Sequence, residues 1–471
     1  MNTKMIRYIL CRMLGVESVL LMIPVIVAAL YQEMSGIAFL IPAGILLLLF
    51  FLAGVKKPEQ SHIYGKEGMV IVALAWILWS LFGAMPFTIS GFIPNYMDAF
   101  FETVSGFTTT GSSILRDVEA LPQCLLFWRS LTHWIGGMGV LVFVLVLTSL
   151  DKKNSMYLMR AEVPGPEKDK LVPKAMSTAR ILYGMYLIMT VVEIIFLMLG
   201  GVNLFDSMIF SFGSAGTGGF SNYADSVAHF HSAYIDGVNF SLFYFMLLGD
   251  FKSVRKNEEL RTYIMLIVGA TALITLNIHS MFPSMIKAFR YAIFQVVTVI
   301  TTTGYATTDF AKWPMFSKSI LMMLTVVGAC ASSTGGGIKV SRLLVGIKCI
   351  KREIVQLAHP KSVGIIRIGG KKVGSDILRT IYIYFIAYVG ILIVSVMLVS
   401  LDNFDFETTF SAVLTTLGNV GPGMAKVGPM GNFADFSILS KLVLCFDMLA
   451  GRLEIFPFLV LFTAPAWRRK F

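Results

Sequence analysis

The chain has 471 residues; 56% are hydrophobic and only 14% charged, where a soluble domain carries about 25% charged residues. That balance excludes a water-soluble globular protein and a disordered one. Five cysteines (Cys11, Cys124, Cys330, Cys349, Cys445) lie scattered without a CxxC pair or metal-ligand spacing, which reads as buried membrane thiols rather than a disulfide framework or zinc site. The formal net charge of +11 would fit nucleic acid, but its distribution along the chain points elsewhere.

The first apolar run begins near Tyr8, is longer than a signal-peptide core and has no small-residue cleavage site after it, so it reads as a retained span. Two spans, near residues 8–31 and 36–54, open the chain. After them come outgoing helices near 68–88, 181–201, 260–278 and 378–401, and return helices near 125–150, 236–251, 317–350 and 437–465. Residues 55–66, 151–180, 252–261 and 346–379 hold three, seven, four and eight Lys or Arg, and the tail ends in "WRRKF". The intervening loops together hold five basic residues and twelve acidic ones, including Asp98, Glu102, Asp206, Asp225, Asp402, Asp405 and Glu407. By the positive-inside rule the basic loops are cytoplasmic. The acidic loops face outward, where they would concentrate cations.

Each outer loop repeats one event, a short apolar run followed by a Thr/Gly-rich stretch. The four are "FFETVSGFTTTGSS", "MIFSFGSAGTGGFSN", "YAIFQVVTVITTTGYAT" and "TTFSAVLTTLGNVGPG". Aligned on one glycine they give Thr109-Thr110-Gly111, Thr217-Gly218-Gly219, Thr302-Thr303-Gly304 and Asn419-Val420-Gly421. One such loop would read as a turn; four on the same side imply a repeated unit. The expected fold is therefore an all-α polytopic membrane protein. Four pseudo-symmetric helix–pore-loop–helix repeats surround one central pore, with two extra N-terminal transmembrane helices. The expected boundaries are 1–62 for the N-terminal hairpin, then 63–152, 153–258, 259–352 and 353–471 for the repeats.

Non-helical backbone at membrane depth survives only where it lines a cavity or is buried in protein. A ring of backbone carbonyls can replace the hydration shell of a monovalent cation, and glycine supplies the φ > 0 that turns successive carbonyls toward one axis. A second irregularity, "GACASSTGGGIKVSR", interrupts the third return helix. It is not a phosphate-binding loop, because Ile338 separates Gly337 from Lys339 and no strand precedes it. Three consecutive glycines break the span, and the segment reads as a gate beneath the filter, formed by Ser333, Thr334, Gly335, Gly336, Gly337 and Lys339. Arg452, within the apolar run around "FDMLAGRLEIFP", is a charge inside a span and is expected near mid-span, against the pore, the gate or Asp447. Glu193 and Asp250 read as structural or interfacial, and His133 and His229 as core or surface histidines.

With these loops, the glycine break and the phrases "HWIGGMG", "AEVPGPEKDKL", "STGGGIK" and "GRLEIFP" in hand, the sequence resembles the Trk/Ktr/HKT superfamily of potassium transporters, and most of all its TrkH-type branch. The likeness runs over nearly the whole chain, the extra N-terminal spans included. It implies K+ as the transported ion, held around Gly111, Gly219, Gly304 and Gly421, with no organic cofactor in this chain. It also implies a gate at 329–339 with Arg452 beside it, a multi-pass place in the bacterial inner membrane, and a homodimer. That dimer would sit on a cytosolic ring of TrkA-like nucleotide-binding (RCK) subunits docked to the basic loops at 151–180 and 346–379, with no nucleic acid as partner. The glycine at position 111 favours potassium over sodium, since serine there goes with sodium preference in plant relatives. Two departures stand out: "AGTGGFSN" lacks a serine before Thr-Gly-Gly, and Asp447 replaces an apolar residue.

Within transport, the alternatives are a weakly selective K+/Na+ permease, a cation-coupled symporter and a secondary transporter of an organic solute, which would show inverted repeats. An intramembrane enzyme would need a catalytic constellation within the spans, and only isolated charges are found, so the chain reads as a non-enzyme.

Overall fold

The computed structural model describes residues 1–59, 63–139, 175–228, 258–330, 335–362, 364–369 and 371–467. The chain is mostly helical, and among the described residues one pair of strands, β1 (Arg367–Ile368) and β2 (Lys371–Lys372), forms a short hairpin. Among the described residues, five helical stretches are long and apolar enough to cross a membrane: Thr3–Tyr31, Met34–Gly54, Gly65–Ile89, Glu258–Met281 and Ser375–Asp402. It is a multi-pass membrane protein.

The first stretch consists of α1 (Thr3–Leu20) and α2 (Met22–Tyr31). The interruption at Leu21 follows from Pro24, whose ring crowds the carbonyl of Leu20 one turn back. α3 (Ile37–Leu49) returns beside α1 and ends in a π-turn, Phe50–Gly54.

Four units follow. The outgoing helices are α4 (Gly65–Ile89), α7 (Ala175–Leu199), α9 (Glu258–Ile278) and α13 (Ser375–Val399), close to expectation. Each is followed by a half-helix: α5 (Tyr96–Phe107), α8 (Leu204–Gly216), α10 (Met285–Ile300) and α14 (Phe406–Leu417). All four half-helices start at a polar cap, where Asn95, Asn203, Ser284 and Asp405 accept the amides of Met97, Asp206, Lys287 and Thr408. The return helix of the first unit is α6 (Gln123–Gly137). Its expected continuation to 150 and the whole second return helix at 236–251 lie outside the described residues, as do Asp250 and His229.

The third return helix is split as its glycines require, into α11 (Met315–Val327) and α12 (Val340–Ala358). The fourth is also split, which the sequence reading did not anticipate. α15 (Ile438–Arg452) stops, Glu454 and Ile455 take φ of 52° and 65°, and α16 (Phe456–Val460) begins afresh. Arg452 is thus the last residue of a helix rather than the middle of one.

Burial separates the layers. The half-helices are enclosed toward their C-terminal ends: every residue of α5 from Phe101 to Phe107 is buried, as are Gln295 to Ile300 of α10 and Ser411 to Leu417 of α14. α13 by contrast exposes Ile386, Val389, Ile393, Val394 and Met397. Apolar side chains exposed on a span are the lipid-facing surface. The main core joins the N-terminal hairpin to α4, α5, α6 and α15, with Trp79, Phe107 and Trp128 meeting edge to face at 5.6 and 6.1 Å.

Candidate functional site

The four half-helices all end in the same way. The αL residue after each is Thr109, Thr217, Thr302 or Asn419, with φ of 52°, 57°, 59° and 52°. Each donates back to its half-helix, to Gly106, Ser214, Val299 and Thr416, at 3.0–3.2 Å. The next residue, Thr110, Gly218, Thr303 or Val420, donates to Ser105, Gly213, Thr298 and Thr415 at 2.8–2.9 Å. This pair of bonds is a Schellman ending, whose αL position is ordinarily glycine. Three β-branched threonines and an asparagine therefore stand where a side chain is conformationally disfavoured, a form of strain that gathers at functional sites.

Two residues further on, Gly111, Gly219, Gly304 and Gly421 have φ of 84°, 76°, 85° and 97°. A second reason requires glycine. A Cβ on Gly111 would fall on the carbonyl oxygen of Gly218, one on Gly219 on that of Thr303, one on Gly304 on that of Val420, and one on Gly421 on that of Thr110. Every glycine thus faces the carbonyl of the next loop, and the fourth faces the first. The structure brings all twelve sequence-predicted loop residues into one closed ring, and none is left outside it.

Polar contacts brace the ring from behind. Thr110 shares a hydrogen bond with Thr108 at 2.7 Å, and Thr303 with Thr301 at 2.8 Å. Asn419 donates to Thr110 Oγ1 and to the Met448 carbonyl, both at 2.9 Å, while Ser112 donates to the Gly421 carbonyl at 3.1 Å. His133 lies against Gly218. Its Nδ1 faces the Gly106 carbonyl at 2.7 Å, which only accepts, and its Nε2 takes the Phe220 amide at 3.3 Å, so the ring is neutral and ties loop 1 to loop 2.

The strongest brace is one the sequence reading did not single out. Arg129 of α6 pairs with Glu102 of α5 at 2.6 Å, both side chains no more than 3% exposed. Glu102 also accepts from Ser113 Oγ and the Ile114 amide, each at 2.9 Å, on the exit from loop 1. Arg129 donates to the Ser221 carbonyl at 2.9 Å and lies 3.5 Å over the Phe220 ring, on the exit from loop 2. The expected outward funnel of acids is correspondingly reduced. Asp206 is held by Asn203, Asn222 and Tyr223 at 2.7–2.8 Å, Asp98 by Lys441 and Glu407 by Lys318, each at 2.6 Å. Asp405 is a helix cap whose carboxyl is held below the usual aspartate range by the hydroxyl and amide of Thr408.

The glycine break in the third return helix packs directly against loops 3 and 4. Amides of Ile338 and Lys339 donate to the Val326 and Val327 carbonyls at 3.1 and 2.9 Å, closing the base of a loop. Gly336 donates its amide to Thr302 Oγ1 at 3.1 Å, and a Cβ on it would meet the Gly418 carbonyl and Asn419. Gly335 lies against Thr301 and Thr302, and Gly337 against Gly328. Lys339 is buried, with φ of 74°, and donates to the Gly335 carbonyl. Ser333 and Thr334 lie outside the described residues. Arg452 donates to the carbonyls of Gly136 and Gly137 at the end of α6 and lies 5.6 Å from the Trp76 ring. Asp447 instead accepts from Ser395 at 2.7 Å, and its other oxygen has no hydrogen-bond partner among the described residues. Glu193 and His133 are buried, and so are all five cysteines, none of them in a disulfide.

Known proteins share the sequence and the fold of this chain. The chain is 35% identical over 465 residues to the Trk system potassium uptake protein TrkH of Salmonella typhimurium, covering 95% of this chain and 96% of that one. It is 34% identical over 475 residues to TrkH of Vibrio parahaemolyticus, covering 97% of each. The crystal structure of the potassium transporter TrkH from Vibrio parahaemolyticus superposes with a TM-score of 0.87 at 31% identity, over 99% of this chain and 100% of that one. The family model TrkH, described as a cation transport protein, matches residues 38–252 and 262–468. With its repeats, its ring of loops and these matches together, the chain belongs to the TrkH family of cation transport proteins.

Proposed function

We propose that the protein takes up potassium across the membrane through a selectivity filter made by the four loops. The closed ring, in which each of the four left-handed glycines abuts the carbonyl of the next loop, carries this reading. A K+ ion crossing the ring would exchange water for backbone carbonyl oxygens around Gly111, Gly219, Gly304 and Gly421. The four half-helices approach with their C-terminal ends, so their partial negative charge favours a cation on the axis. The relatives' names, potassium uptake proteins, agree with that cargo. No chemical step is required of the chain, and no organic cofactor enters this reading.

Gly335–Lys339 would be the gate. The loop packs against loops 3 and 4, and the hydrogen bond from the Gly336 amide to the Thr302 hydroxyl ties it to loop 3, which supports this reading. Arg452 would act at the same depth by holding the end of α6 through its Gly136 and Gly137 carbonyls. Following the family resemblance, we further propose a homodimer seated on a cytosolic nucleotide-binding ring. The basic surface of α12 and the β1–β2 hairpin would form part of the docking face; the other basic loop, 151–180, falls largely outside the described residues.

The test is cation flux into liposomes holding the purified chain, comparing potassium, rubidium and sodium. Potassium and rubidium well above sodium is the expected outcome. Sodium equal to potassium would keep a pore and refute the filter. Flux absent from the wild type and from a variant with Gly335–Gly337 shortened would refute permeation itself.

A further inference from the structure

The two N-terminal spans stand outside the fourfold repeat and have no part in the ring. They do build a site of their own. Gly54 closes the π-turn at the foot of α3, and its lack of a side chain lets the chain lie against the backbone of Cys11 and Arg12. Residues 55–59 then fold beside the first turns of α1. Between them lies a groove of about 690 Å³ lined by Lys4, Arg7, Tyr8, Phe51, Leu52, Ala53, Val55, Lys56, Lys57, Pro58 and Glu59.

Four cations and one carboxylate face this groove. Lys4, Arg7 and Lys56 form no hydrogen bond or ion pair through their side chains among the described residues, whereas Lys57 already has a partner. The Tyr8 hydroxyl, on the groove wall, is turned to Arg12 at 2.8 Å. Three cations without an ion-pair partner among the described residues, set against the single carboxylate of Glu59, leave the groove with a net positive potential.

The groove also has a defined depth. It opens where the Met34–Gly54 span ends, next to the basic segment 55–66 that topology places on the cytoplasmic side. Above it, Ile41, Ile45, Leu48 and Leu52 recur at helical spacing along α3 and the turn, all exposed, and Phe51 and Val55 flank them. A positive concavity continuous with an apolar stripe matches a molecule with an anionic head and acyl chains. A free anion would use the cations and leave the stripe without a role.

We propose that this groove binds the headgroup of an anionic phospholipid of the cytoplasmic leaflet, with its chains along the exposed stripe of α3. Lys4, Arg7 and Lys56 bind the phosphate. Basic pockets between transmembrane helices on that side are suited to such headgroups. Bound lipid would tie the start of α1 to the foot of α3, and so hold the hairpin against α4. The site is independent of the filter reading.

The full chain in neutral detergent is titrated with dioleoylphosphatidylglycerol or dioleoylphosphatidylcholine, and bound lipid is counted by native mass spectrometry. The expected result is binding of phosphatidylglycerol on the order of a hundredfold tighter than phosphatidylcholine, from three cations each contributing about fivefold toward an anionic head. The triple variant Lys4→Gln, Arg7→Gln, Lys56→Gln loses that preference. The charge-conserving set Lys4→Arg, Arg7→Lys, Lys56→Arg keeps it, as does a control set, Lys351→Gln, Lys361→Gln, Lys372→Gln, on the other basic surface. If the triple variant does not fold, Arg7→Gln and Lys56→Gln singly each weaken binding several-fold. Equal binding of the two lipids overturns the proposal, and so does an equal loss in the control set. Displacement of phosphatidylglycerol by excess inorganic phosphate would make the groove a free-anion site and overturn the lipid assignment.

Discussion

Arg129→Gln is the substitution that best separates support of the ring from the ring itself. The variant removes the cation from Glu102 while leaving the Ser113 hydroxyl and Ile114 amide on that carboxylate. Breaking a buried ion pair by deleting one partner costs about 3–5 kcal/mol, because the remaining charge stays buried. The two surviving donors place Arg129→Gln toward the lower end, but the lost bond to the Ser221 carbonyl, typically about 1 kcal/mol, and the lost contact over Phe220 raise it again. The net expectation is about 3–4 kcal/mol, measured by reversible unfolding in mixed micelles. Glu102→Gln strands the guanidinium instead, and the double variant should be less destabilised than the two singles summed, the signature of direct coupling. In liposomes, a folded Arg129→Gln should lose potassium-over-sodium discrimination by more than it loses total flux, since the exits of loops 1 and 2 relax while loops 3 and 4 keep their own supports. Additive singles, or an unaltered ion ratio in a demonstrably loosened variant, would refute the idea that this pair holds the ring in shape.

Gly304→Ala should weaken discrimination against sodium more than Ala288→Gly, a buried change in the preceding half-helix α10, when rubidium and sodium uptake are compared, because its Cβ falls on the Val420 carbonyl and φ is 85°. Gly111→Ser should act in the same direction through the Gly218 carbonyl, and an unchanged ratio would count against the filter. Deleting one glycine from Gly335–Gly337 should raise basal flux in the absence of any partner, and persistently low flux in folded variants would exclude a gate there. Asp405→Ala should lower stability by about 1 kcal/mol at neutral pH, a typical cap value. The folded-state carboxyl titrates below its ordinary value through Thr408, so the benefit of the cap exists above the ordinary aspartate pKa and disappears as pH falls through the lowered one. Wild type and Asp405→Ala should therefore converge in acid, as unfolding at several pH values would reveal.

Composition, alternating loop charge and the repeated Thr/Gly stretch made the N-terminal hairpin, the four outgoing helices and all twelve ring residues legible, because hydropathy and glycine placement are local properties. The break after Val327 was legible for the same reason: three glycines cannot stay helical. The break after Arg452 was not, since Glu454 and Ile455 give no sign of positive φ, and only the packing of a fully buried Ile455 enforces it. Outer-loop acids read as a cation-attracting surface because sequence does not reveal which of them find partners. Glu102 is the clearest case, an acid at 1% exposure within a half-helix. Its partner did carry a signal: Arg129 is a charge within the apolar "LLFWRSLTHW", the same feature that drew attention to Arg452. The left-handed threonines have no local sign either, as residue type argues against that conformation and the surrounding ring imposes it.

The circular contact of the four loops has a genetic corollary. Each glycine is crowded by one neighbour only and always in the same sense of rotation, from Gly111 to residue 218, Gly219 to 303, Gly304 to 420 and Gly421 to 110. Damage in one quadrant is therefore transmitted to the adjacent loop before it reaches the opposite one. Revertants of a bulky substitution at Gly111 should map to the loop around Gly218, and those of one at Gly421 to the loop around Thr110, with few on the diagonal. Because a single gene encodes four unlike quadrants, such repairs can accumulate one at a time, a freedom denied to a channel assembled from four identical chains.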